Sequence, residues 1–154
     1  MYKTLVDCHA LALHLHDPDW VVVDSRFILA DPDAGFRAHQ AGHIPGARYA
    51  HLNNDLSSAV TSTSGRHPLP DPAVLAQKLG DWGIDRHTQV VVYDDGFGAM
   101  ASRLWWLLRW LGHDAVALLD GGLPKWQREG HPLTRDVPRI TPVKFAPQVR
   151  DELW

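Results

Sequence analysis

The sequence predicts an α/β domain with a mainly parallel, five-stranded sheet and helices on both faces. Residues 20–24 and 89–93 contain the continuous apolar runs 20–23 and 90–93, which are typical of strands buried in a parallel sheet. Stretches with helical apolar spacing lie between these runs, so strands and helices alternate along the chain. Because parallel crossovers are almost always right-handed, we expect the helices to cover both faces of the sheet.

The first half of the chain supplies two helices and two of the strands. Asp7 is a suitable cap for a helix over residues 8–16. The apolar stripe of this helix comprises Leu5, Cys8, Leu11, Ala12 and Leu15. The elements that follow are a strand over 20–24, a short helix over 34–40 that Gly42 ends, and a brief strand over 47–50.

The second half begins with a long polar loop over residues 53–70, which we expect to be functional or mobile. Asp71 and Pro72 then form a helix start, with the aspartate as cap and the proline at the first helical position. This helix carries Val74, Leu75, Leu79 and Trp82 and ends at Gly83. The remaining elements are a strand over 89–93, a helix over 100–111, a strand over 115–119 and a short helix over 123–129.

The sequence after residue 130 lacks helical or strand periodicity and is interrupted by prolines. These are Pro132, Pro138, Pro142 and Pro147. We therefore assign residues 1–134 to one domain and residues 135–154 to an extended tail or interdomain linker. The chain ends abruptly at Trp154, the last residue of this segment, and we therefore expect a fragment of a longer protein.

Composition limits the binding partners and the bound metals or cofactors that we expect for this chain. A chain of 154 residues with 45% hydrophobic residues fits one folded domain. The net charge of −3 and the absence of a basic block argue against nucleic-acid and membrane partners. No stretch has membrane-spanning length. We therefore expect a cytoplasmic protein. One cysteine cannot form an internal disulfide, and the ten histidines lack zinc-site spacing. We expect neither a metal nor another cofactor.

The most informative segment joins the strand over 89–93 to the helix over 100–111. Its loop comprises Asp94, Asp95, Gly96, Phe97, Gly98 and Ala99. A tight glycine-containing loop that enters a helix directs backbone N–H groups inward, where the helix dipole favours an anion. We expect this loop and residues 24–26 to line a crevice at the carboxyl ends of the strands, where Asp24, Arg26 and Arg103 could meet and support it. The favoured interpretation of these side chains is structural, with Asp24 fixing a loop and Arg103 pairing with a nearby carboxylate.

Four segments together resemble the rhodanese-like domain in its characteristic order. They are Val22–Arg26, Gly42–Ala47, Val91–Asp94 and Leu119–Trp126. The resemblance covers roughly residues 4–134. Within that family, residues 102–106 and 111–113 are most similar to the amino-terminal half of tandem thiosulfate or 3-mercaptopyruvate sulfurtransferases. In those proteins a second rhodanese domain carries the catalytic cysteine.

The resemblance implies that a cysteine thiolate should occupy the first position of the loop, where it would become a persulfide. This sequence has Asp94 there, and a carboxylate cannot form a persulfide. We expect Asp94 or Asp95 to accept hydrogen bonds from the loop and to cap the following helix. The resemblance therefore implies an inactive domain whose partner is a second, catalytic rhodanese domain in the same full-length chain.

Two alternatives stay open on the sequence alone. One is a free-standing, inactive rhodanese module that binds another protein. The other is an enzyme that uses Asp94 and Asp95 as carboxylate nucleophile or base, although no further acidic ligands gather near them. A downstream sequence with a cysteine-containing loop would favour the tandem protein, whereas a stop codon would favour the module.

Several side chains have competing interpretations. We assign Cys8 to the core, because it shares an apolar helix face. Trp106 and Trp110 share a helix face and Trp105 lies away from it. Phe97 is expected at an interface with a neighbouring domain, while interface and core remain equal options for Met100.

Overall fold

The computed structural model describes residues 1–153, and Trp154, the last residue of the predicted tail, lies outside the described residues. The strands are β1 (Leu5–Val6), β2 (Trp20–Asp24), β3 (Arg48–Tyr49), β4 (Gln89–Tyr93) and β5 (Val116–Leu119). The helices are α1 (Cys8–Leu13), α2 (Ala34–Ala41), α3 (Pro72–Asp81), α4 (Ala99–Trp110) and α5 (Gly122–Arg128), followed by a 3₁₀ turn at Asp151–Leu153. Within residues 1–153 no helix combines the length and apolarity needed to cross a bilayer.

All strand pairs in the five-stranded sheet are parallel, and their order is β1-β5-β4-β2-β3. The predicted fold class is confirmed. The edge strand β1 was not located from the sequence, because two residues carry no periodic signal. Leu5, predicted on the stripe of the first helix, lies instead in β1 and is 56% exposed.

The side chains of β4 alternate between two separate apolar clusters. Val90 and Val92 point into a cluster with residues of α3 and α4, whereas Val91 and Tyr93 point into one with residues of α1 and α5. Strand side chains alternate between faces, so this division shows that helices cover both faces of the sheet. Cys8 belongs to the second cluster with 1% exposure, which confirms its assignment to the core.

The helix starts follow the predicted caps, while some helix ends and faces differ. The carboxylate of Asp7 accepts from Ala10 N at 2.7 Å, and that of Asp71 accepts from Ala73 N and Val74 N. However, α1 ends at Leu13, three residues before the predicted end, because a turn begins at His14. Val74 faces solvent rather than the core.

Residues 135–150 form neither helix nor strand, and this segment packs closely on the domain. Phe145 is 7% exposed and belongs to the cluster under α3 and α4. Val143 N donates to Gly80 O at 2.9 Å, and a Cβ atom at Gly80 would lie only 2.3 Å from Val143 O. Arg150 donates to both carboxylate oxygens of Asp114, at 2.7 and 3.2 Å. The domain boundary at residue 134 stays a prediction.

A buried histidine should make the fold sensitive to mild acid. His113 lies beside Phe145 with Nε2 2.9 Å from Thr88 O, and burial lowers the pKa of its imidazole. The unfolded chain then binds a proton more readily than the fold. Stability from the neutral ring is present above the ordinary histidine pKa of about 6.5 and is lost as the pH falls below it.

We therefore expect the urea midpoint to fall from pH 7 to pH 5, and to fall less in His113→Gln than in the unsubstituted chain. Parallel urea titrations of both proteins at each pH measure the difference. An identical pH dependence of the two proteins would contradict this assignment.

Candidate functional site

The carboxylate of Asp94 lies inside the loop that joins β4 to α4, where it is 4% exposed. Its Oδ1 accepts hydrogen bonds from the backbone of Gly96 at 3.0 Å and Gly98 at 3.2 Å. Its Oδ2 accepts from Met100 N at 3.1 Å and Ala101 N at 3.0 Å, the second and third N–H groups of α4. The carboxylate therefore closes the loop and caps the helix.

Glycines allow the backbone of this loop to approach its neighbours. Gly98 has φ +86°, in the left-handed region, and a Cβ atom there would lie 3.0 Å from the Leu118 side chain. Gly122, with φ +59°, opens α5, and a Cβ atom there would lie 2.8 Å from Asp94 O. The same carbonyl accepts from Leu123 N at 2.9 Å. The turn before α5 thus holds the loop between β4 and α4 in place through the backbone of Asp94.

The other side chains of the loop face outward. Asp95 is exposed, so the expected capping is provided by Asp94. Phe97 is fully exposed, whereas Met100 is partly buried and packs against the cluster under α4. Met100 therefore follows the core alternative. The role of Phe97 at an interface stays a prediction.

The loop and the turn before α5 form a groove of about 510 Å³ at the carboxyl ends of β4 and β5. Residues 94–98, residues 120–122 and Leu5 contribute to its lining. The expectation that residues 24–26 would also line it is wrong. Asp24 is fully buried and Arg26 is 7% exposed, because α2 and the segment after it cover this end of β2.

Asp24, Arg26 and His39 form a buried polar cluster beneath α2. Arg26 Nη2 lies 2.7 Å from Asp24 Oδ2 and also donates to Gly42 O, while His39 Nδ1 lies 2.9 Å from the same carboxylate oxygen. Burial alone would raise the pKa of the Asp24 carboxyl, but the hydrogen bonds from His39 and Arg26 hold it below its usual value. The cluster fixes the loop after β2, the structural interpretation favoured by the sequence.

Arg103 lies elsewhere and has other partners. Its guanidinium donates to Leu56 O at 2.9 Å, and to His67 O and Pro68 O, in the loop over 53–70. The expected carboxylate partner is wrong within residues 1–153, and no hydrogen bond joins Arg103 to Asp24 or Arg26 there. The sequence could not show whether Arg103 pairs with a carboxylate or with backbone carbonyls, because every residue has a backbone carbonyl.

Two histidines on either side of the α2 terminus are neighbours. The rings of His39 and His43 stack with centroids 4.1 Å apart, although Gly42 ends the helix between them. His43 Nδ1 lies 2.7 Å from His39 O, and His43 Nε2 lies 2.9 Å from Asp136 O. His43 thereby joins α2 to the tail. Among residues 1–153, no group of three or more His, Cys, Asp or Glu side chains is arranged to hold a metal ion.

The chemistry open to this site is limited by its occupant. Four N–H donors at the end of β4 would suit a thiolate or an oxyanion, and the Asp94 carboxylate already accepts from all of them. The thiol of Cys8 is buried in the cluster on the other face of the sheet, and this burial raises its pKa.

The chain is similar in sequence to known sulfurtransferases. A probable 3-mercaptopyruvate sulfurtransferase of Pseudomonas aeruginosa is 51% identical over 94% of this chain and 51% of its own length. A thiosulfate sulfurtransferase of Cricetulus griseus is 34% identical over 94% of this chain and 50% of its own. The chain thus spans about half the length of these relatives.

Solved structures show the same fold. The 3-mercaptopyruvate sulfotransferase SseA from Escherichia coli has a TM-score of 0.83 and 29% identity, over 98% of this chain and 59% of that one. A 3-mercaptopyruvate sulfurtransferase from Leishmania major has a TM-score of 0.81 and 31% identity, over 93% of this chain and 39% of that one. The family model of the rhodanese-like domain matches residues 7–129. The chain therefore belongs to the rhodanese-like domain family and is homologous to 3-mercaptopyruvate and thiosulfate sulfurtransferases.

Proposed function

We propose that this chain is the amino-terminal, non-catalytic rhodanese-like half of a thiosulfate or 3-mercaptopyruvate sulfurtransferase. A second rhodanese domain of the same full-length protein would supply the catalytic cysteine. This half would stabilise the protein and shape access to the partner domain's site. The Pseudomonas aeruginosa and Cricetulus griseus relatives support the proposal, since each is about twice as long as the segment it shares with this chain.

The observation that carries the proposal is the position of the Asp94 carboxylate. It lies where the loop's N–H groups and the first turn of α4 converge, and it accepts hydrogen bonds from four of them. Sulfur transfer in this family requires a thiolate that attacks the transferable sulfur of the donor and holds it as a persulfide, while the bond from that sulfur to the rest of the donor breaks and sulfite or pyruvate leaves. A carboxylate cannot do this, and its negative charge repels an anionic donor such as thiosulfate.

The same geometry weakens the carboxylate-enzyme alternative. Each carboxylate oxygen of Asp94 accepts two backbone hydrogen bonds, and the side chain is almost inaccessible to solvent. A nucleophile or general base needs a free lone pair within reach of its substrate. Asp95 is exposed, but within residues 1–153 no group of acidic side chains gathers around a metal site.

The free-standing module remains the second candidate, and the fully exposed Phe97 favours it equally, because an apolar side chain at a loop tip suits any protein partner. The gene sequence beyond the codon for Trp154 distinguishes the two. A second rhodanese-like domain with a cysteine as the first loop residue supports the tandem protein. A stop codon directly after that codon would leave the module.

The inactivity of this domain has a direct test. After incubation with thiosulfate or 3-mercaptopyruvate, the purified chain should show no mass increase of one sulfur atom and no transfer to cyanide above the uncatalysed rate. Cys8→Ser serves as the matched control and should behave identically, because the Cys8 thiol is buried with a raised pKa. A sulfur adduct on the unsubstituted chain would contradict the assignment of an inactive domain.

A further inference from the structure

A second cavity lies on the opposite edge of the sheet, beside the edge strand β3. Its volume is about 510 Å³, and its walls come from α2, β3, the end of α3 and tail residues 135–140. The aromatic rings of Phe36, Tyr49 and Trp82 give it apolar walls. None of its lining residues is acidic, whereas two are arginines, Arg48 and Arg135. A mostly apolar cavity of this size with a few convergent polar groups is the usual form of a small-molecule site.

Arg48 gives the cavity an unneutralised charge. Its Nε donates to Trp82 O and its Nη1 to Gly46 O, both at 2.8 Å, so the guanidinium is held in place by carbonyls alone. No carboxylate within residues 1–153 forms an ion pair with it. Burial lowers the pKa of this guanidinium, and no neighbouring charge offsets that effect.

Arg48 is a lining residue of the cavity and has N–H groups that no protein acceptor within residues 1–153 uses. Nη2 has no hydrogen-bond acceptor among the described residues and lies 3.3 Å from where a Cβ atom of Gly83 would be. A partly buried guanidinium with an unused pair of N–H groups can donate both of them to an anion that enters the cavity. A guanidinium fixed by two carbonyls is also already oriented for a carboxylate, which lowers the entropic cost of binding.

The other ionisable groups around the cavity do not neutralise Arg48. His39 and His43 line the inner wall, and the carboxylate behind His39, Asp24, is paired with Arg26. Arg135 stands at the rim, where its Nε donates to Ala41 O. Asp136 contributes its backbone carbonyl to His43, and its side chain is not part of the lining. The cavity is therefore positive and apolar at once.

We propose that this cavity binds a small organic anion, namely a carboxylate carried on an aromatic or branched aliphatic body. The carboxylate lies against Nη2 of Arg48 with Arg135 at the rim, and the apolar body packs between Phe36, Trp82 and Ile140. None of the residues lining this site lines the groove beside Asp94. The inference therefore does not depend on the proposed sulfurtransferase role.

The test compares two probes that differ in charge, indole-3-acetate and indole-3-acetamide, by ¹H–¹⁵N NMR titration of the full chain. The acetate should shift the backbone amides of Arg48, Tyr49, Trp82 and Val137. It should bind at least about ten-fold more tightly than the neutral amide, the ratio that one charge-assisted hydrogen bond confers. Equal affinity for the two probes, shifts confined to other regions, or no shift at millimolar acetate would each overturn the proposal.

Variants then locate the anion. Arg48→Gln should weaken acetate binding about ten-fold or more and leave the affinity for the amide unchanged. Arg109→Gln is the matched control, since that arginine stacks on Trp105 and lies near Asp114, and it should bind like the unsubstituted chain. If Arg48→Gln fails to fold, Val137→Glu, a substitution at an exposed residue, replaces it in the test. It places a negative charge at the rim and should also weaken acetate binding selectively, and an unchanged affinity for acetate would contradict the proposal.

Discussion

Replacement of Asp94 by alanine is expected to lower the free energy of unfolding by about 3 kcal/mol. The carboxylate accepts two hydrogen bonds from the loop and two from the first turn of α4, and alanine leaves all four donors without it. Loss of a helix cap alone costs about 1–2 kcal/mol, and hydrogen bonds to a charged group contribute more than neutral ones. Urea unfolding followed by circular dichroism measures the difference.

Asp94→Asn should destabilise almost as strongly, although asparagine has the same shape. Its amide group would place N–H donors against two of the backbone N–H donors that now face the carboxylate. Asp95→Ala is the matched control, because that side chain is exposed, and its effect should stay within about 0.5 kcal/mol. Equal effects of the Asp94 and Asp95 substitutions would contradict the asymmetry that the structure shows.

Phe145→Ala should have a comparable effect, a loss of about 3–4 kcal/mol, even though residue 145 lies in a segment that the sequence predicts as tail or linker. The ring is 7% exposed and packs into the cluster under α3 and α4, beside His113. Its truncation leaves a cavity in that cluster. The measurement is the same urea titration, with the midpoint and the slope both compared.

Val149→Ala provides the comparison within the same segment. Val149 is 45% exposed, so its substitution should change stability by less than about 1 kcal/mol. If Phe145→Ala were as mild as Val149→Ala, the segment would contribute little to the domain. The large difference that we expect would instead place the stabilising boundary of the domain after Phe145.

The sequence predicted the elements with strong local signals. Strands β2 and β4 each contain four consecutive apolar residues, and Asp7 and Asp71 cap α1 and α3. The interpretation of the loop after β4 depended on local chemistry as well. A carboxylate at the entry to a glycine-containing loop before a helix has nearby N–H groups to accept from, whatever the rest of the fold does.

The remaining features depend on contacts between distant parts of the chain. The strand β1 is only two residues long and forms through pairing with β5. Arg103 donates to backbone carbonyls of a loop that lies more than thirty residues away in the sequence. Proline-rich composition predicted a tail or linker, but the docking of Phe145 depends on the shape of the cluster that receives it, and no local pattern encodes that shape.

Anion rescue of Asp94→Ala tests the central claim most directly. If the Asp94 side chain fills a site built to hold an anion, its removal should leave backbone N–H groups that can donate to formate instead. Sodium formate should then raise the melting temperature of Asp94→Ala more than sodium chloride at equal ionic strength, while the unsubstituted chain responds equally to both salts. At ten times its dissociation constant, formate would restore about 1.4 kcal/mol. A variant that formate stabilises no more than chloride does would contradict the account.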